Sequence, residues 1–306
     1  MKILFMGTPE FAVASLEALV EAGHDICGVF TRPDQKKNRG MKLLPTAVKE
    51  YALTKNLSVY QPEQVKNQET LDLITSLNPT LIVVAAYGRI LPQEILDFPK
   101  LGCINVHSSL LPKYRGAAPI HWSVVNGDQE TGVTIMDMVA ELDAGDIISQ
   151  GRTPISLTET VEEVHDRLAL LGGKLLVETV SMIEKGTATR IPQEAEKVSF
   201  APMLSRELSP LDFSKSALTL HNQIRGLLPW PASQMELAGE SIKVFASSLP
   251  DISTEMPAGK VLKGDKEGID IACGDGKVIR LTMVQGQGGK RMSASDYLRG
   301  HPLPEA

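Results

Sequence analysis

The chain has 306 residues, with 31 Lys and Arg against 37 Asp and Glu, a formal charge of −6, and 42% hydrophobic and 22% charged residues. That balance belongs to a globular protein and excludes disordered, collagen-like and coiled-coil classes, and no apolar run reaches the roughly 18–20 residues of a membrane span. The apolar run before Thr8-Pro9-Glu10 is too short for a signal peptide's core, and Cys27, Cys103 and Cys273 form no CxxC pair, so the expectation is a cytoplasmic protein without disulfides or metal.

Residues 1–155 alternate between strand and helix signals. Residues 2–6 are a short apolar strand followed by Gly7, with Thr8 placed to cap a helix whose first turn holds Pro9 and Glu10 and which runs to Gly23. A strand follows at 25–30, a polar loop to Leu44, a helix from Pro45 to about Asn56, a short strand at 57–60 and a helix at 68–77. Residues 81–86 (LIVVAA) are almost wholly apolar, the habit of parallel strands covered on both faces. Further strands are predicted at 102–107, 132–139 and 146–155, with a helix at 118–126. This order predicts an α/β fold, a doubly wound, parallel-rich sheet. A long amphipathic helix at 160–185 stops at Gly186, and residues 187–210 then lose periodicity and collect Pro192, Pro202 and Pro210, as a linker does. A helix at 217–227 and short strands at 241–247, 259–262, 268–272 and 277–284 predict a small β-barrel or sandwich. The expected division is a domain at 1–189, a linker at 190–208 and a second domain at 209–306, since single cores stop growing near ~250–300 residues.

A nicotinamide cofactor would need G-x-G-x-x-G after the first strand; only Gly7 is there, and no Walker loop occurs. The chemistry-bearing segment is NVHSSLLPKYRGAAPI, residues 105–120. Asn105 and His107, two apart on an extended chain, point to one face where the strand ends. A second polar cluster, ELDAGD at 141–146, ends the strand that starts near Gly132. Asn105, His107 and Asp143 can converge there as a carboxamide donor, a base near neutral pH and a carboxylate to orient it. Ser108 and Ser109 lack a nucleophile elbow, and the cysteines sit like core residues. A base and an oxyanion donor without a protein nucleophile suit direct acyl transfer between two substrates.

The run Asn105-Val106-His107-Ser108-Ser109-Leu110-Leu111-Pro112 resembles the N-x-H-x-S-L-L-P signature of the 10-formyltetrahydrofolate-dependent formyltransferases, and Leu142-Asp143-Ala144-Gly145 resembles their L-D-[AT]-G element. The GAAPI stretch (116–120), IRGLLPWP (224–231) and GKRMSASDYLRG (289–300) resemble the branch of that family that acts on methionyl-tRNA. The resemblance implies a Rossmann-like formyltransferase domain followed by an OB-like barrel that supports tRNA. It also implies formyl transfer from 10-formyltetrahydrofolate, a dissociable co-substrate, to the α-amine of initiator methionyl-tRNA by a monomeric enzyme, with Asn105, His107 and Asp143 catalytic. Arg89, Ile90 and Leu91, then Ser109, Leu110, Leu111 and Pro112, and Val139, Ala140 and Leu142 match the segments that line the folate. Two departures stand out: Glu141, where some members have glycine, and Ala232-Ser233, where many read Gly-Ala. The alternative within the architecture is a formyltransferase acting on a UDP-linked aminosugar.

The total of −6 speaks against a nucleic-acid partner, but residues 31–43 hold Arg32, Lys36, Lys37, Arg39 and Lys42 against Asp34 alone. The segment follows the second strand, at the same sheet edge as His107. The resemblance implies that it contacts the tRNA acceptor stem, with Arg39 before Gly40 as a key residue and Lys36, Lys37 and Lys42 beside it.

Overall fold

The computed structural model describes residues 1–37 and 42–303. The chain divides into two compact units, one built from Met1–Pro119, Thr131–Thr153 and His165–Ala201, the other from Ile120–Glu130, Pro154–Val164 and Pro202–Ala306. In chain order the elements are β1 (Lys2–Gly7), α1 (Glu10–Glu21), β2 (Asp25–Phe30), β3 (Gln35–Lys37), β4 (Lys42–Leu44), α2 (Ala47–Thr54), β5 (Val59–Tyr60), α3 (Gln68–Leu77), β6 (Leu81–Ala85), α4 (Gln93–Leu96), β7 (Cys103–His107) and β8 (Arg115–Gly116). There follow α5 (Pro119–Val125), β9 (Glu130–Asp137), β10 (Ile147–Pro154), α6 (Val161–Glu184), β11 (Phe200–Ala201), α7 (Ala217–Gly226), β12 (Ser233–Leu237), β13 (Glu240–Ser248), β14 (Val261–Asp265), β15 (Gly268–Ala272), β16 (Val278–Gln285), β17 (Met292–Ser293) and α8 (Ala294–Gly300).

The first unit is organised on a sheet of order β10–β9–β7–β6–β1–β2–β5. The central strands β1 and β6 pair in parallel, and Ile3, Leu4, Phe5, Leu81, Ile82 and Val83 are fully buried, as expected of strands covered on both faces. The chain moves outward from β1 through β2 to β5 and then returns to β6 on the opposite side, so the strand order switches between β1 and β6. β9 runs antiparallel to β7, with Ile104 opposite Asp137, Asn105 opposite Met136 and His107 opposite Thr134. The sheet is therefore parallel-rich and mixed.

Helix starts follow local capping chemistry. Thr46 accepts the N–H of Lys49 at 3.1 Å to cap α2, and Asn67 accepts that of Thr70 at 3.0 Å to cap α3. Thr8, expected to cap α1, does not: Pro9 occupies the cap position, and the Thr8 hydroxyl donates to the Tyr87 carbonyl at 3.0 Å.

Two stretches without a periodic signal carry structure. The expected polar loop before Leu44 contains a hairpin, β3 paired with β4, in which Lys36 faces Leu43 and Lys37 faces Lys42. Lysine-rich edge strands lack the apolar alternation by which strands are read. Residues 187–210 hold a two-way bridge between Ile191 and Ile147, a 3-10 turn at Ala195–Lys197, and β11, which pairs in parallel with β8. These pairings use backbone groups over one or two residues, too short for a pattern.

The second unit carries an antiparallel sheet of order β12–β13–β16–β15–β14, with β17 joined to β16. Its core gathers Leu220 and Ile224 of α7, Ile242 and Val244 of β13, Ile269 and Ile271 of β15, and Ile279 and Leu281 of β16. On the sheet face opposite this core, Asp270, 2% exposed, receives Arg280 across the strand pair at 2.6 and 2.8 Å, which compensates its buried charge.

Candidate active site

β7 supplies two of the three converging side chains. Ile104 and Val106, both buried, face one side of the sheet, while buried Cys103, half-buried Asn105 and His107, 5% exposed, share the other face. The His107 ring nitrogen Nε2 lies 3.0 Å from the Tyr114 carbonyl. A carbonyl only accepts, so Nε2 carries a proton and donates it, leaving Nδ1 as the nitrogen that can exchange one. Nδ1 faces Asp143 Oδ2 at 3.7 Å, within ion-pair reach and too long for a direct hydrogen bond. The Asn105 carboxamide makes no hydrogen bond to another described residue, so its N–H groups are uncommitted.

Asp143 arrives from a loop that folds back. β9 is antiparallel to β7, so the loop after Asp137 starts level with Ile104, near the beginning of β7 and away from His107. The Asp137 N–H donates to the Asp146 carbonyl at 2.9 Å and closes the loop at its base. Between them the chain returns over the face that bears Asn105 and His107. Convergence is thus made across a strand face, whereas the sequence pattern points to a shared strand end. Asp143 takes φ +49°, a left-handed conformation that Asp tolerates better than most residues. Gly145 is required because any Cβ there would collide with the Asp137 carbonyl.

Three further groups hold this loop. The Gly116 N–H of β8 donates to Asp143 Oδ2 at 2.8 Å. Gln193 donates through Nε2 to the carbonyls of Asp143 and Gly145, both at 2.8 Å. Its Oε1 accepts from Arg115 Nε and Nη2 at 3.1 and 2.9 Å, and Arg115 Nη1 donates to Glu141 at 3.0 Å. Glu141, the departure from glycine, thereby pairs with a buried arginine, although its own side chain is 75% exposed. Neither Gln193 nor Arg115 stands out in the sequence: Gln193 belongs to an aperiodic stretch, and Arg115 is one basic residue at the end of a longer motif.

The other expected site residues fall into two groups. Leu91, Ser109 and Leu111 are buried, with Leu110, Pro112 and Arg89 half-buried. Ser109 donates to the Lys113 carbonyl at 2.6 Å and accepts from Thr134 at 2.7 Å through its own carbonyl, which ties the 109–112 turn to β9. Ile90, Val139 and Leu142 are large apolar side chains in the open, 73%, 46% and 59% exposed, and Ala140 is exposed beside them. Arg39 lies outside the described residues, as do the side chains of Lys36, Lys37 and Lys42, whose backbones form the β3–β4 hairpin.

Burial pushes the Cys103 thiol up to about 12 and that of Cys273 up to about 11, so neither offers a thiolate nucleophile near neutral pH. Among the described residues no group of three His, Cys, Asp or Glu side chains could hold a metal ion, and no helix is long and apolar enough to cross a membrane. A cavity of about 460 Å³ opens at the beginning of β7, lined among others by Lys100, Cys103, Asp137 and Arg190; none of Asn105, His107 and Asp143 lines it.

Residues 1–180 match the family model described as formyl transferase, and residues 203–302 match that of the formyl transferase C-terminal domain. The chain is 48% identical over 303 residues to a methionyl-tRNA formyltransferase of Moorella thermoacetica, covering 99% of this chain and 97% of the relative. It is 46% identical over 306 residues to one of Pelotomaculum thermopropionicum, covering 100% and 97%. Among solved structures, a sugar 3N-formyl transferase determined with dTDP and 5-N-formyl-THF superposes with a TM-score of 0.69 at 21% identity, over 92% of this chain and 97% of that one. At that identity the likeness concerns the fold, whereas the matched domains and near-full-length relatives carry the assignment: the chain belongs to the formyl transferase family.

Proposed function

We propose that this chain transfers the formyl group of 10-formyltetrahydrofolate to the α-amino group of initiator methionyl-tRNA. The single observation that carries the chemistry is the juxtaposition of an uncommitted Asn105 carboxamide with a His107–Asp143 pair on one strand face. The acceptor is supported by the names of the relatives that match this chain end to end.

The residues present fit a folate. Ile90, Val139 and Leu142 expose apolar surface that a flat pterin ring would cover, and Arg89, Leu91, Ala140 and the 109–112 turn flank them in sequence. When bound, 10-formyltetrahydrofolate supplies an electrophilic formyl carbon. Asn105 then donates an N–H to the oxygen on which negative charge develops as the amine attacks. His107 takes the proton of the attacking amine at Nδ1 and returns it to N10 of the folate as the bond from that nitrogen to the formyl carbon breaks. Its Nε2–H stays on the Tyr114 carbonyl, while Asp143 stabilises the imidazolium in between. The β3–β4 hairpin, with Lys36, Lys37, Arg39 and Lys42, contacts the tRNA phosphates. Residues 1–189 carry the reaction, 190–208 connect, and 209–306 support the tRNA. The enzyme acts as a cytoplasmic monomer.

The deciding experiment offers purified protein 10-formyltetrahydrofolate with either methionyl-tRNA or a nucleotide-linked aminosugar. Formylation of initiator methionyl-tRNA is expected. Formylation of the sugar alone would replace the acceptor, and transfer to neither would end the reading. In the same assay Asn105→Ala is expected to lower kcat by ~10²–10³, the usual cost of an oxyanion donor, with little change in folate affinity. Near-full turnover in that variant would remove Asn105 from the chemistry.

A further inference from the structure

We propose that Gln193 is a positioning residue, which sets the loop bearing Asp143 and holds the carboxylate against His107. This rests on the formyl-transfer reading of Asn105, His107 and Asp143.

The bonding of Gln193 is fully determined. Arg115 can only donate, so the amide oxygen must face it, at 3.1 and 2.9 Å. The amide nitrogen then presents two N–H groups, each 2.8 Å from a carbonyl that can only accept, those of Asp143 and Gly145. These carbonyls flank Ala144 at the turn that aims Asp143. Oδ2 of Asp143 is meanwhile fixed from the side chain's end by the Gly116 N–H. Backbone and carboxylate of one residue are therefore pinned by two different segments, and Gln193 is the side chain that pins the backbone.

The anchor is itself rigid. Arg115 is 8% exposed, and its strand β8 pairs with β11, seven residues beyond Gln193. On the other side of Gln193, Ile191 is bridged to Ile147 through hydrogen bonds of 2.8 and 2.9 Å, and Arg190 pairs with Asp137 at 2.6 Å at the base of the loop. The segment carrying Gln193 is thus fastened before and after it. Asp143 occupies a left-handed backbone conformation, which an unrestrained loop would leave readily for more populated regions. Holding it there is what two donated hydrogen bonds to adjacent carbonyls accomplish.

The substitution that isolates this role is Gln193→Glu. It keeps the size of the side chain and an acceptor for Arg115, and it turns the two donors into a carboxylate oxygen facing two carbonyls. Gln193→Glu and Gln193→Ala are each expected to lower kcat by roughly 10-fold to 10²-fold with KM for folate nearly unchanged, the scale of a misplacement of about 1 Å. In an Asp143→Asn background the same substitutions should cost less than about 3-fold, because groups that act through one residue are not additive. An equal loss in both backgrounds, or kcat within 2-fold of the parent for Gln193→Glu, would overturn the proposal. Thermal melts of each variant, with kcat corrected for the folded fraction, separate the effect from simple destabilisation: a loss that vanishes on correction also overturns it. The formyl-transfer reading fails separately, on the parent's inability to formylate. The positioning role remains open to a direct check in that event: NMR cross-peaks of the His107 ring should move alike in Gln193→Glu and Asp143→Asn, and unmoved cross-peaks in Gln193→Glu would refute it.

Discussion

Ala232 adopts φ +60° immediately after Trp230-Pro231 and is 2% exposed. A Cβ in that conformation is crowded by its own backbone, a strain that glycine does not suffer. This position is the departure noted in the sequence, where many relatives of the family it resembles read Gly-Ala, and the structure supplies the physical cost of the change. Ala232→Gly is expected to stabilise the fold by about 0.5–1 kcal/mol, a rise of roughly 1–3 °C in Tm by calorimetry, the strain relieved exceeding the backbone entropy lost. Asp143 and Gly145 show the same logic in the loop beside His107: one tolerates the left-handed region, the other admits a carbonyl where no side chain fits. Such demands are visible in a single sequence only as a residue type at a spacing. The Asp143-Ala144-Gly145 element is therefore legible as a unit, while the Gln193 amide that fastens it is not, because its bonding partners lie 48 and 50 residues away in the chain.

Among the elements, α7 shows how a helix can bury polar side chains without loss. His221, Asn222, Gln223 and Arg225 are all within a tenth of full burial. Arg225 donates to Asn222 at 3.0 Å and to the carbonyls of Ser156 and Glu159 at 3.0 and 2.7 Å. His221 places one ring nitrogen 2.9 Å from the Ser247 hydroxyl and donates from the other to the Leu157 carbonyl at 2.8 Å. Burial foremost, with Arg225 adding to it, holds His221 below its ordinary value of 6.5, against the raising effect of the Leu157 carbonyl. The folded state therefore prefers the neutral ring. Its contribution to stability is complete above the unfolded value near 6.5 and is lost as pH falls through the depressed folded value. Urea melts at pH 8 and pH 5.5 should show the parent losing more stability on acidification than His221→Gln. Equal losses would mean that the ring does not titrate with unfolding. His24 is also lowered by burial but is present in both proteins, so the difference isolates His221. The strong periodic elements were legible because apolar side chains set their period, as β2 and α3 illustrate with ranges that match residue for residue. β12, whose Ser-Gln-Met-Glu-Leu mixes polar and apolar residues, and α8, seven residues long after a glycine-rich stretch, lacked that signal.

For the molecule as a whole, −6 is a poor guide to its partners. Residues 1–190 sum to −5 and 191–306 to −1, yet 31–43 hold five basic residues against one acidic. Electrostatic recognition follows local potential, so an acidic protein can bind RNA at one basic segment and repel it elsewhere. Arg39→Ala is expected to raise KM for tRNA without altering folate affinity. It should also make the logarithm of tRNA affinity depend less steeply on that of salt, by about 0.7–0.9 for each phosphate that is no longer neutralised. Identical salt slopes for parent and variant would remove Arg39 from the interface. The fold class was legible from the alternation of elements, and the trio from two short motifs. The antiparallel placement of β9 was not, because strand direction in a sheet is decided by pairing partners distant in sequence.

The second unit takes in Ile120–Glu130 and Pro154–Val164 as well as everything after Pro202. The carbonyls that receive Arg225 and His221 come from the second of those inserts. In evolutionary and engineering terms the C-terminal portion is consequently not a detachable cassette. A recombination crossover near residue 202 would set α7, with its buried guanidinium and imidazole, against the other parent's 154–164 segment, whose backbone carbonyls must then fall within hydrogen-bond reach of both. A viable chimera needs an insert that keeps this backbone path, whichever parent supplies it.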